Sequence, residues 1–157
     1  MAHEYTAKIS WTRDGAVFSD NRYSRGHRWS FDGGITVQAS SAPSSVPLPY
    51  SLENAVDPEE ALVASISSCH MLTFLYLAAK KRFVVDSYED DAHGVMTKND
   101  KGKLYVSKVT LDPKITFSGD KVPTPAQIAE LHHLAHQECF IANSVLAEVV
   151  VAGIPSH

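Results

Sequence analysis

Residues Tyr5-Thr6-Ala7-Lys8-Ile9-Ser10-Trp11 alternate apolar with polar side chains, the period of a strand with one buried face. Arg28-Trp29-Ser30-Phe31 and Ile35-Thr36-Val37 flank Asp32-Gly33-Gly34. That arrangement predicts a β-hairpin, its glycines supplying the positive φ of a tight turn. An N-terminal strand group is therefore expected within residues 3–39. From 40 to 56 serines and prolines dominate, which removes backbone donors and predicts an ordered loop or crossover, the alternative being a surface linker.

The period then changes. Asp57 can cap a helix, Pro58 suits its first position, and Glu59 and Glu60 face the positive end of its dipole. The helix is predicted over 57–82, where Lys80, Lys81 and Arg82 complement its negative end. Leu62, Val63, Ile66, Leu72, Phe74, Leu75 and Leu77 leave no wide polar stripe, so this helix is expected to be covered on every side. Two long strands, Val84–Thr97 and Lys103–Phe117, follow as a pair joined at Asn99-Asp100-Lys101-Gly102. Thr124-Pro125 opens a second helix over 124–139 with Ile128, Leu131, Leu134 and Ala135 on its apolar face. A last strand is expected over 144–152.

These elements predict one α+β domain over residues 1–157, with antiparallel sheets around a central helix. One small sheet gives such a helix too little cover, and a homodimer is the natural remedy. The 44% hydrophobic and 20% charged fractions are those of a globular protein. A net charge of −4 without a basic stripe argues against a nucleic-acid partner. Ala61–Ala79 approaches bilayer-spanning length, but Ser65, Ser67, Ser68, Cys69, His70 and Thr73 make it too polar for lipid, so no membrane association is expected. The first residues show no secretory pattern, and a cytoplasmic location is expected, with thiols reduced at rest.

Two cysteines are present, Cys69 inside the central helix and Cys139 at the end of the second. A free cysteine is commonly a small apolar filler. Two of them, each on a helix beside charged residues, also invite a redox reading. Phosphate-loop, dinucleotide, CxxC and HExxH signatures are absent.

Asp57-Pro58-Glu59-Glu60-Ala61-Leu62, with Cys69 ten residues after Glu59, and Cys139-Phe140-Ile141-Ala142-Asn143-Ser144 downstream, resemble the OsmC/Ohr family of peroxide-reducing proteins over residues 5–151. The resemblance implies an OsmC-like fold, an intertwined homodimer and a thiol-dependent peroxidase active in the oxidative-stress response. Cys69 would reduce an organic hydroperoxide to an alcohol and become a sulfenic acid. Cys139 would condense with it to a disulfide, and an external dithiol of the lipoyl or thioredoxin type would restore both thiols. No bound cofactor is implied. An apolar helix raises a thiol's pKa unless a cation lies nearby. Family members supply an arginine held by the motif glutamate, which matches Glu59. Arg22, Arg25 and Arg28 are the candidates, with Arg25 favoured and Arg28 second.

Ten helical residues rise about 15 Å, so Glu59 does not reach Cys69 along its own helix. Central helices packed antiparallel in a dimer would bring Glu59 and the arginine of one chain to Cys69 of the other, with active sites at the subunit interface. His70 either lines the site or is a hydrogen-bonded packing residue. The alternatives are a zinc protein, using His132, His136 and Cys139 with His133 alongside, and a non-catalytic protein binding a small apolar ligand on the same fold.

Overall fold

The computed structural model describes residues 2–156. They form two compact units, one running up to Ala61 and one starting at Leu62. The first holds an antiparallel sheet of β1 (Lys8–Ser10), β2 (His27–Ser30) and β3 (Thr36–Ala39), with Trp29 opposite Ile9 on one side and Val37 on the other. The serine- and proline-rich segment after it is ordered by its own polar groups. Buried Ser40 accepts from the Leu52 amide at 2.9 Å, buried Ser51 donates to the Val46 carbonyl at 2.6 Å, and Ala39 bridges to Val56.

Helix α1 (Pro58–Lys80) begins on a reciprocal cap: Asp57 accepts from the Glu60 amide at 2.8 Å and Glu60 accepts from the Asp57 amide at 2.9 Å. It ends where Arg82 turns left-handed at φ 66° and the Arg82 and Phe83 amides close back on the Ala79 and Ala78 carbonyls. By length and composition α1 could cross a membrane, yet its ridge of Ile66, His70, Phe74 and Ala78 is core. Around Phe74 and Ala78 pack Phe83, Leu131 and Ala135, while around Ile66 pack Val109 and Leu111. His70 lies on the ridge between these clusters.

In the single chain the opposite ridge is left uncovered. Ala64, Ser68, Leu72 and Tyr76, four residues apart, are exposed, with Leu72 at 60% and Tyr76 at 61%. The sequence is apolar around the helix, but a single chain packs its layers on one side only.

The expected pair of long strands is corrected. Each breaks in two: β4 (Val84–Asp90) and β5 (His93–Lys98), then β6 (Leu104–Leu111) and β7 (Pro113–Ser118). The outer halves pair as β4–β7, and the inner halves form a sheet ordered β5–β6–β8, where β8 (Glu148–Val151) runs parallel to β6. Pro113 lacks an amide hydrogen and interrupts the ladder. Asp90 holds the bend, its carboxylate accepting from the Asp112 amide at 2.7 Å and from the Ser67 hydroxyl of α1. Helix α2 (Pro125–Glu138) starts on the Thr124–Gln127 capping box.

Gly94 of β5 marks the closest approach of α1 to its sheet, since a Cβ there would lie 2.8 Å from Val63 Cγ2 and 3.3 Å from Val106 Cγ1. Both neighbours are stiff β-branched side chains. Gly94→Ala is expected to lower stability by about 1–3 kcal/mol in urea unfolding, the usual cost of overpacking.

Candidate active site: two helices carrying two thiols

Cys69 projects from the fourth turn of α1, half-buried between the buried and exposed ridges. Cys139 is the C-cap of α2, in extended backbone and completely buried. The segment after it folds over the sulfur. The Ala142 amide donates to Cys139 Sγ at 3.3 Å, the Asn143 amide donates to the Cys139 carbonyl at 3.1 Å, and a short 3-10 turn spans Ala142–Ser144. Asn143 and Ser144 fasten that turn through the Gln137 and Phe140 carbonyls at 3.0 and 2.7 Å. The motif residues after Cys139 thus build a wall around it.

The two sulfurs lie close enough to influence each other, and both are free thiols. Burial, and then the neighbouring Cys69 thiol, push the Cys139 thiol up from 9.0 to about 11, the Ala142 amide pulling the other way. Negative charge on Cys69 raises it further. Cys139 therefore keeps its proton at neutral pH.

Beside the sulfur pair lies a second polar contact between the same helices. His70 Nε2 and His132 Nδ1 are 2.9 Å apart, the rings 9° from parallel and both buried. The His132 ring also packs at 4.6 Å on Phe74. Burial, with mutual repulsion second, lowers His70 to about 3, and burial lowers His132 to about 4, so both are neutral imidazoles. His70 Nδ1 has no partner. His70 is thus a packed, hydrogen-bonded core residue. Sequence reasoning offered His132 only as a zinc ligand, yet it lies four residues after Ile128 and one after Leu131, in phase with the apolar face. That phase was the available signal.

The zinc alternative does not assemble. His132 is turned to His70, Cys139 to Cys69, and His133 donates to the Pro155 carbonyl at 2.6 Å. Among the described residues no three histidine, cysteine or acidic side chains come together as a metal-holding set.

The arginine candidates lie in the first unit. Arg25 is the one whose guanidinium is fixed: Nη1 donates to the Asn21 and Tyr23 carbonyls at 2.7 and 2.6 Å, and Cζ sits 3.7 Å from the Tyr23 ring centroid. Tyr23 stacks on Phe18 and meets Trp11 edge-on. Its aromatic neighbours were not part of the sequence expectation. Arg22 and Arg28 are exposed, Arg28 on β2 facing a groove with Lys8 and Gln38. Glu59 is half-buried in the first turn of α1.

This arrangement coincides with a known family. A model described as "OsmC-like protein" matches residues 51–152, and the chain belongs to that family. Among solved structures, an OsmC-like protein of unknown function from Vibrio cholerae is 54% identical, with 96% of this chain and 98% of that one covered and a TM-score of 0.93. The organic hydroperoxide resistance protein OhrB of Bacillus subtilis is 18% identical over 94% and 95% of the two chains, with a TM-score of 0.62. An organic hydroperoxide resistance protein from Elizabethkingia anophelis is 16% identical over 96% and 98%, with a TM-score of 0.67. These two share the fold. No curated protein matches. The fold is α+β and OsmC-like, with two helices and several antiparallel strand pairs.

The neutral histidines make the fold acid-sensitive. Unfolding restores both to about 6.5, so the unfolded chain binds more protons below that value, and stability present above about pH 6.5 is lost as pH falls toward about 4 and then about 3. Each histidine contributes a slope of up to about 1.4 kcal/mol per pH unit. Urea midpoints measured from about pH 7 to about pH 5 should fall accordingly, and His132→Asn should flatten the fall by roughly half.

Proposed function

We propose that the protein is a thiol-dependent peroxidase that reduces organic hydroperoxides to alcohols. The observation that carries this reading is the proximity of Cys69 and Cys139, two free thiols brought together from separate helices. Family membership supports it, as do distant fold relatives named for organic hydroperoxide resistance.

The Cys69 thiolate attacks the terminal peroxide oxygen. The O–O bond breaks, the alkoxide takes a proton and leaves as alcohol, and Cys69 becomes a sulfenic acid. Cys139 then attacks that sulfur as it gives up its proton: the S–S bond forms, the S–O bond breaks, and the proton leaves with the hydroxide as water. A dithiol of the lipoyl or thioredoxin type returns two electrons and two protons. A high Cys139 pKa suits this order, because the resolving thiol does not compete for peroxide while it holds its hydrogen. Arg25 is the proposed source of positive charge for the Cys69 thiolate, with Glu59 holding it and Arg28 as second candidate.

The exposed ridge of Ala64, Leu72 and Tyr76 suits a homodimer in which two α1 helices pack antiparallel and the subunits share their sites. A reducing cytoplasm would keep both thiols ready.

Reduced protein treated with cumene hydroperoxide should lose two hydrogens by mass. Cys139→Ser should accumulate a dimedone-reactive sulfenic acid, and Cys69→Ser should do neither. Unaltered mass in the wild type would remove the reading, leaving a ligand-binding role for the fold. Arg25→Ala should slow peroxide-driven oxidation of the reduced protein at neutral pH, and an unchanged rate would count against Arg25. Mixing Cys69→Ser with Glu59→Ala subunits should restore activity in heterodimers, and no rescue would count against shared sites.

A further inference from the structure

The His70–His132 contact has no part in the peroxide chemistry, yet it lies one residue from one sulfur and seven from the other. Consecutive side chains on α1 diverge by about 100°, whereas His132 and Cys139, seven residues apart, share one face of α2 about 10 Å apart. Cys69 and His70 therefore reach two separated points on α2 in different directions. Two such contacts fix the rotation of α1 about its axis as well as its position.

Rotation matters for the sulfurs. Turning a helix by about 20° moves an atom roughly 5 Å from its axis by about 2 Å. A shift of that size is comparable with the bonded S–S length of about 2.05 Å that a disulfide demands. Apolar contacts resist such rotation poorly, because burial has no direction. A ring-to-ring hydrogen bond does have direction. Losing it here would strand two more imidazole nitrogens in a site where His70 Nδ1 is already unpartnered. Phe74, one turn along the buried ridge from His70, packs on the His132 ring and limits its movement.

We propose that His70 and His132 are positioning residues for the Cys69–Cys139 couple: their hydrogen bond sets the rotation of α1 against α2 and holds the two sulfurs at the separation from which the disulfide closes. The proposal rests on the thiol-peroxidase reading, in which that closure is the resolving step. It assigns the pair no proton transfer and no contact with peroxide.

The test uses the full chain without peroxide, equilibrated in glutathione redox buffers, with the Cys69–Cys139 disulfide quantified by alkylation and mass. His132→Ala should lower the equilibrium constant for disulfide formation at least about tenfold, an upward shift of about 30 mV in reduction potential. His132→Asn places an amide where Nδ1 lies and should stay within about threefold of wild type, or about 14 mV. His132→Gln carries its amide one methylene too far and should resemble Ala. If the Ala variant does not fold, the Asn-versus-Gln contrast decides. Equal potentials in Asn and Gln, or variants all equal to wild type, overturn the proposal. A wild type that forms no intramolecular disulfide removes the peroxidase reading as well, whereas a wild-type disulfide with unmoved variants removes the positioning role alone.

Discussion

Helix α1 turns one ridge, Ile66, His70, Phe74 and Ala78, into the protein, and the contact it makes with α2 decides where both cysteines lie. Leu131 and Ala135 supply the apolar part of that contact. His132 and Cys139 supply the polar part, meeting His70 and Cys69. Its two ends are secured separately, by the Asp57–Glu60 cap and by the left-handed Arg82 closure. Between them Ser67 is tied to Asp90, so the bend that splits the strands is also an anchor for the helix one turn below His70.

Much of this was legible because the signals are local. Asp57-Pro58 and Thr124-Pro125 announce both helices through capping chemistry that needs no tertiary partner. The motif around Cys139 was likewise visible, and its residues turn out to wrap the sulfur. What failed was non-local. Val84–Thr97 reads as one strand although Glu89-Asp90-Asp91 interrupts its alternation, and the partner strand, interrupted at Pro113, divides it between two sheets. The uniform apolarity of α1 could not say which ridge its own chain would cover. His132 was read only as a zinc ligand, although its phase with Ile128 and Leu131 placed it inside.

The electrostatics of the two thiols are unequal, and that inequality gives the pair a direction. Cys139 is sealed, hydrogen-bonded and held protonated near neutral pH, while Cys69 is half-buried on the flank of α1. The two histidines beside them are neutral and add no positive charge. Among the three arginine candidates, Arg25 is the one whose guanidinium is held, over the Tyr23 ring and on a backbone carbonyl. The same division of labour explains why the buried histidine pair suits this place. It supplies direction to the packing without altering the charge that the thiols experience.

The central claim is that Cys139 retains its proton partly because the Cys69 sulfur lies beside it. Titrating protein labelled at the cysteine β-carbons by NMR tests this directly, comparing wild type with Cys69→Ala. Cys139 should ionise near 11 in the wild type, and distinctly lower in the variant though still above 9.0, since burial remains. Identical titration of Cys139 in both proteins would mean that the sulfurs do not touch, and would contradict the account.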